Sequence, residues 1–283
     1  MNRRGSELSA KADGVLFTSD GRDVEMSVAS TKAFYSQVAA GALLACAISA
    51  ALGTGTNTER HELLAALRTI PDAMFQVLAL RPQIAEAARQ FAPARRYWTV
   101  VGNGFNAVAA EEVRIKLSEL CYKSIACDIT EDKKHIDLSC EPMIIVCATG
   151  LSDGTASDVA KEIAIYRAHK ALPIVIAQEG EQRFDAAAAV ISVPRVDPRV
   201  AFILSVMVGH IFGYEAALAI DALARPLRAC REVVEHAVER GGIGSELLVK
   251  VRAEIGVPAT RFFDALITGD YDGNLEPSTA VRV

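Results

Sequence analysis

Between residues 97 and 222, short runs of β-branched and aliphatic residues alternate with helix-length segments, and this alternation restricts the chain to one architecture. Tyr97-Trp98-Thr99-Val100-Val101 stops at Gly102-Asn103-Gly104 and feeds a helix expected over 106–122. Met143-Ile144-Ile145-Val146-Cys147 is a second strand, followed by a helix over 153–169. Pro173-Ile174-Val175-Ile176, Ala189-Val190-Ile191-Ser192-Val193 and a helix over 198–221 complete the series. Strands without polar alternation are buried on both faces, as in parallel sheets whose crossover helices cover both sides. The fold class is therefore α/β, a doubly wound parallel sheet flanked by helices, complete from 97 to about 222.

The flanks read differently. Gly14-Val15-Leu16-Phe17 looks like a short strand stopped by Ser19-Asp20-Gly21, and a long helix is expected from about 31 to 52. Gly53-Thr54-Gly55-Thr56-Asn57 breaks it. Thr58 is offered as the cap of a helix to 68, Pro71-Asp72 opens another, and Arg81-Pro82 starts a third that runs to about 90. One strand and one helix do not make a parallel domain, so residues 1–56 read as an incomplete unit. That leads us to expect a piece of a longer chain, or a protein that borrows the missing strands from a partner. Residues 57–92 read as a helical connector, 93–235 as the complete α/β domain, and 236–283 as a C-terminal helical extension with a polar tail. Helices are expected over 226–240 and 245–255.

Composition removes several classes of function. With 35 acidic against 30 basic residues the net charge is −5, which gives no basic face for nucleic acid and no attraction to anionic lipid. The six cysteines contain no Cys-x-x-Cys pair, so neither a structural zinc site nor any other metal is expected, and reduced thiols fit a cytoplasmic protein. Two apolar stretches, 38–52 and 200–220, were weighed as membrane spans. The first is too short and the second is interrupted by His210 and Glu215, so both are expected to be buried helices of a soluble protein.

Four constellations could carry chemistry. Gly102-Asn103-Gly104-Phe105-Asn106-Ala107 is a G-x-G-x-x-A turn between a strand and a helix, where a ligand phosphate can meet the helix N-terminus. A dinucleotide site there would recruit Asp128, but Glu111-Glu112 at the helix start opposes a pyrophosphate. Lys116 and Glu119 share a helix face three residues apart; the plain alternative is an exposed ion pair worth a few tenths of a kcal/mol. Glu131-Asp132-Lys133-Lys134-His135 is a charged loop whose histidine lies outside the expected helices, unlike His61, His169, His210 and His236, which are read as surface or packing residues. Ser27-Val28-Ala29-Ser30-Thr31-Lys32-Ala33-Phe34 places hydroxyls directly before a long helix, as a cap does and as an anion site can.

Val28-Ala29-Ser30-Thr31-Lys32-Ala33-Phe34 resembles the V-A-S-T-K-A-F stretch of glutamine–fructose-6-phosphate aminotransferases, where it ends the first of two sugar-isomerase (SIS) domains. Lys116-Leu117-Ser118-Glu119-Leu120-Cys121-Tyr122 resembles the K-L-K-E-I-S-Y helix of their second SIS domain. Lys134-His135 falls in their G-E-L-K-H-G-P loop, and the strand-Gly-x-Gly opening at 102–104 also matches. The similarity runs from about residue 10 to 235. It implies an SIS-type fold and an isomerase module acting on a phosphorylated hexose, fructose 6-phosphate, on the way to glucosamine 6-phosphate. By position it implies that Glu119 moves a proton between C1 and C2 and that Lys116 assists at the sugar oxygens. His135 would help ring opening in a neighbouring subunit's site, so a homodimer is implied. Val28, Ser30, Thr31, Gly102 and Gly104 would border the substrate, and Arg231 stands nearest the position of a family lysine. No cofactor is implied. The family's S-Q-S-G-E-T phosphate loop and its glutaminase domain have no counterpart here. We therefore expect weak activity of the chain by itself, with a glutaminase partner or missing N-terminal portion supplying the rest. A non-catalytic sugar-phosphate-binding or assembly module is the alternative.

Overall fold

The structure is a computed structural model that describes residues 4–18, 30–241 and 244–271. Its sheet has five parallel strands, β1 (Trp98–Gly102), β2 (Ala126–Asp128), β3 (Met143–Ala148), β4 (Leu172–Gln178) and β5 (Ala189–Val193), in the order β2-β1-β3-β4-β5. The expected doubly wound parallel sheet is thus present. The chain leaves β1 to one side for β2 and returns to the other side for β3. The topological switch point therefore lies between the C-terminal ends of β1 and β3. Strand β2 has no counterpart in the sequence analysis, because three residues at a sheet edge carry too short a pattern to read.

The helices are α1 (Glu7–Lys11), α2 (Thr31–Ala51), α3 (Asn57–Ala79), α4 (Arg81–Phe91), α5 (Phe105–Cys121), α6 (Thr130–Lys133), α7 (Asp153–Ala168), α8 (Phe202–Glu239) and α9 (Ser245–Thr268). Strand side chains divide strictly between two cores. Met143, Ile145 and Cys147, with Ile174, Ile176, Ile191 and Val193, pack under α4, α5 and α8 through Ile84, Val113, Leu117 and Phe212. Ile144, Val146, Ala148, Val175 and Ala177 face α7 through Ala156, Val159, Ile163 and Tyr166. Each large aliphatic side chain fully buried this way contributes about 1.5–3 kcal/mol.

Two glycines set the position of α5. A Cβ at Gly209 of α8 would stand 2.2 Å from a methyl of Val113, and one at Gly213 would stand 3.3 Å from Leu117. Only their bare backbone lets α8 lie this close to α5.

Several expectations need correction. Residues 14–17 form no strand and are partly exposed. The cap of the second long helix is Thr56, in a reciprocal capping box with Glu59, and not Thr58. Pro71 opens no new helix but sits inside α3, which bends by 55° into α4 only after Ala79. Pro226 likewise sits inside α8, a single helix of 38 residues that crosses 235–236, where the domain reading placed a boundary. An interior proline costs about 3 kcal/mol, which packing on both sides offsets: Ile70, Ala73 and Val77 around Pro71, and the α8–α9 contact beyond Pro226. The same holds for Pro258, so α9 runs to Thr268 rather than 255.

The two apolar stretches also separate. Both α2 and α8 are long and apolar enough to cross a membrane by length and composition. The apolar part of α8 is mostly buried, as expected. Helix α2 has 21 residues and is not short; it buries only Ala33 and exposes Leu43, Leu44 and Ile48. Among the described residues, no sheet of the incomplete first unit stands against it.

Candidate functional site

Helix α5 carries a chain of charged groups on the face it turns toward α2 and α8. The Lys116 ammonium is 4% exposed and lies between two carboxylates, 3.6 Å from Glu112 and 3.2 Å from Glu119. Its spacing to them, one helical turn either way, follows from i,i+4 and i,i+3 geometry. This is no exposed ion pair; removing either carboxylate leaves a buried charge short of a partner. Glu112 is in turn 3.0 Å from Nε2 of His210, and Nδ1 of His210 is 2.8 Å from the Tyr35 hydroxyl. Burial, with the nearby charge of Glu112, raises the Tyr35 phenol above its ordinary range. Tyr35 therefore stays protonated; where it donates to Nδ1, Nε2–H is the group that donates to the Glu112 carboxylate. Phe34 and Tyr35 meet the His210 ring edge-on, at 6.2 and 5.5 Å between centroids.

The structure thus brings Lys116 and Glu119 together and ties them, through Glu112, His210 and Tyr35, to the start of α2. Ser30 caps α2 without a side-chain capping bond and Thr31 is its first residue, one turn before Tyr35. Val28 lies outside the described residues. Glu119 is 30% exposed, at the open end of this chain of contacts. Sequence reasoning missed three members. Glu112 was legible as an i,i+4 partner of Lys116, whereas His210 and Tyr35 come from distant segments and carry no local signal.

Other expected residues stand apart. His135 is 68% exposed in the turn after α6, 3.8 Å from Glu131, on the sheet face covered by α6 and α7 rather than by α5. Arg231 is 77% exposed and paired with Glu235. From Gly213, which packs on Leu117, the helix rises about 27 Å to Arg231 at 1.5 Å per residue. Gly102 and Gly104 end β1 and begin the turn into α5, at the switch point. Lys116 and Glu119 lie about 17–21 Å further along α5 from its first residue, toward the N-terminal ends of the strands.

Asn106, Thr149 and Ser205 form a closed buried triangle at the switch point. Asn106 Nδ2 donates to the Thr149 carbonyl at 2.7 Å, and the Thr149 and Ser205 hydroxyls each lie 3.1 Å from Asn106 Oδ1 and 2.8 Å from each other. Fully satisfied networks of this kind rigidify the backbone around them. They hold open a crevice of about 300 Å³ lined by Asn103, Gly104, Thr149, Gly150, Ser152 and Thr155. All six cysteines are free, and burial pushes Cys121 up to about 12 and Cys127 to about 11, so neither is a nucleophile. No cluster of metal-ligating side chains occurs among the described residues.

Glu162 of α7 is the exceptional buried acid. It is 5% exposed, and its Oε2 has no hydrogen-bond partner. Burial raises its carboxyl, with Glu131 adding to the effect. A raised native value means the folded chain binds more protons than the unfolded one between the ordinary glutamate range, about 4.3, and the native value, so stability falls as pH rises through that window. The Glu131 carboxyl shifts the other way, lowered chiefly by its bond to Lys134, and contributes stability that is lost as pH falls. A Glu162→Gln comparison isolates the first effect. The variant should melt higher than the parent at pH 7, and the gap should close by about pH 4, where both forms are neutral. Urea midpoints at the two pH values measure it, and an unchanged gap would contradict the assignment.

No family model matches the chain. It is 33% identical over 224 residues to the glutamine–fructose-6-phosphate aminotransferase (isomerizing) of Thermus thermophilus, covering 77% of this chain and 36% of that protein. It is 30% identical, also over 224 residues, to the Mycobacterium tuberculosis enzyme of the same name, covering 77% of this chain and 35% of that one. The chain spans roughly a third of the length of these curated relatives. Among solved structures, the C-terminal domain of glucosamine-fructose-6-phosphate aminotransferase from Francisella tularensis superposes with a TM-score of 0.70 at 20% identity, over 77% of this chain and 61% of that one. Tagatose-6-phosphate ketose/aldose isomerase from Escherichia coli gives 0.51 at 20% identity, over 68% and 51%. The resemblance read from the sequence therefore holds. Over 77% of its length the chain is homologous to glutamine–fructose-6-phosphate aminotransferases, and its α/β domain has their SIS-type fold.

Proposed function

We propose that this homologue of the aminotransferases is a sugar-isomerase module that binds a phosphorylated ketohexose, fructose 6-phosphate, beside Glu119 and the first turn of α2. The observation that carries the reading is the Lys116 ammonium held between Glu112 and Glu119 and joined through His210 to Tyr35 of α2. In the open-chain ketose, or its C2 imine, the Glu119 carboxylate takes a proton from C1. The electron pair moves to C1=C2 and the C2 oxygen or nitrogen takes a proton, giving an enediol or enolamine. Glu119, 30% exposed and so open to exchange with water, returns a proton to C2 while the C1 hydroxyl gives up its proton to solvent and becomes the aldehyde. Lys116, within hydrogen-bond reach of Glu119, donates to the sugar oxygen that gathers charge. Glu112 and His210 keep the ammonium from leaving that position. Ser30 and Thr31 offer hydroxyls at the helix start for the sugar.

His135 serves the reading only through a second copy, because the sheet separates it from Glu119 within one chain; this favours a homodimer. A glutaminase domain or partner supplies ammonia. Glu119 is partly open to solvent, so water competes with the substrate and turnover by this chain is slow. The same openness favours a non-catalytic sugar-phosphate-binding module as the second reading.

The experiment is proton exchange. Fructose 6-phosphate is incubated with the chain in deuterated water, and deuterium at C1 and C2 is followed by nuclear magnetic resonance. Saturable exchange above the protein-free control supports the reading. Thermal stabilisation by the sugar phosphate without exchange supports the binding module. Neither effect would remove both.

A further inference from the structure

We propose that the outward face of α9 is a self-association surface, on which α9 of a second copy of this chain packs antiparallel. Helix α9 packs on α8 through Val251, Ile255, Pro258 and Phe262, which are half-buried or buried and spaced four, three and four residues apart. Its opposite face repeats the pattern. Val249, Ala253, Gly256, Thr260, Phe263 and Ile267 follow at intervals of four, three, four, three and four residues, and all six are exposed. That is the a/d spacing of a coiled-coil seam, here about 27 Å long at 1.5 Å per residue. One apolar stripe is enough for a helix that lies on a protein; apolar residues on both faces belong to a helix packed on both sides.

The seam is complementary to itself. Turned end for end about Pro258, its midpoint, Val249 meets the partner's Ile267, Ala253 meets the partner's Phe263, and Gly256 meets the partner's Thr260. Two of these layers set a small residue against a larger one, which fills a seam without voids. A Cβ at Gly256 would meet nothing within 4 Å, so the space beside it is open. Parallel pairing would stack glycine on glycine and phenylalanine on phenylalanine, a gap in one layer and crowding in another. Charge agrees with shape. Lys250, Val257 and Asp264 are seven residues apart and border the seam on one side. The antiparallel register puts Lys250 across from the partner's Asp264, twice by symmetry, with Val257 against the partner's Val257 between them. Among the described residues, neither Lys250 nor Asp264 has an ion pair within its own chain. Pro258 is half-buried and off the seam, and as the midpoint it falls at the same level in both helices. Helix α9 lies beyond residue 235, where the resemblance to the aminotransferases ends. The contact is therefore distinct from the pairing that His135 requires, and it stands independently of the function proposed above.

Sedimentation equilibrium of the full chain tests it, up to about 100 μM, well above the μM Kd of a weak interface. Ile267→Lys, at a side chain 84% exposed, should keep the helix content by circular dichroism and halve the associated mass. The change is from dimer to monomer, or from tetramer to dimer where the His135 pairing also forms. Lys250→Asp and Asp264→Lys should each weaken association about tenfold, since each turns two attractive pairs repulsive. The double variant, which restores opposite charges, should associate like the parent at low salt. A monomeric parent, or an Ile267→Lys chain with the parent's mass, overturns the proposal. Single reversals without effect, or a double variant as weak as the singles, overturn the antiparallel register. Loss of sugar-phosphate exchange with association intact would sink only the catalytic reading.

Discussion

Glu119→Gln is expected to slow deuterium exchange into fructose 6-phosphate by at least about a hundredfold, since a positioned general base contributes about 10²–10⁴. The substitution removes only the ability to take a proton. It keeps the side-chain length, and the amide oxygen can still accept from Lys116 at the present 3.2 Å. Glu119 is 30% exposed, so the change in stability should stay below about 1 kcal/mol. Lys116→Met behaves differently. It leaves Glu112 14% exposed beside His210 with one partner fewer, so exchange and stability both fall, the latter by up to about 3–5 kcal/mol as for a broken buried pair. The double variant should exchange no more slowly than the worse single one, because both residues act on one proton transfer. An activity that survives Glu119→Gln would place the base elsewhere, whatever the stability data show.

What could be read in advance follows from where the information sits. The strands announced themselves because Met143-Ile144-Ile145-Val146-Cys147 has no solvent face to alternate with, and that same lack of alternation is what lets it face Leu117 on one side and Ile163 on the other. Lys116 and Glu119 were legible because helix geometry fixes their proximity within three residues. His210 is 98 positions from Glu112 and 175 from Tyr35, so nothing local marks it. Glu162 is similar: its burial depends on α6 folding over α7, and a four-residue helix leaves no readable period. Prolines misled the helix boundaries because their cost is local, while the burial that offsets it at Pro71 and Pro226 is tertiary.

The largest structural effect should come from Gly102→Ala, even though it adds a single methyl. A Cβ there would lie 2.2 Å from the carbonyl oxygen of Asn106 and 2.5 Å from its carbon. Those are backbone atoms of the first turn of α5, so no side-chain rotation relieves the contact. Relief requires α5 to move off the sheet, and Asn106 would carry with it the triangle it makes with Thr149 and Ser205. Overpacking usually costs about 1–3 kcal/mol, and a clash with fixed backbone belongs above that range. The variant is expected to be largely unfolded or to melt far below the parent. Gly154→Ala is the control: its Cβ meets nothing within 4 Å and its φ is not positive, so it should be nearly neutral. Gly104→Ala separates the two causes of glycine dependence. It too meets open space, but at φ 58° and ψ −127° an alanine is strained by about 1–3 kcal/mol. The expected order of melting temperatures is therefore parent and Gly154→Ala highest, Gly104→Ala lower, and Gly102→Ala lowest. If Gly102→Ala melted with Gly104→Ala, α5 would have freedom to slide on β1, and the fixed placement of Lys116 and Glu119 along it could no longer be argued from the packing.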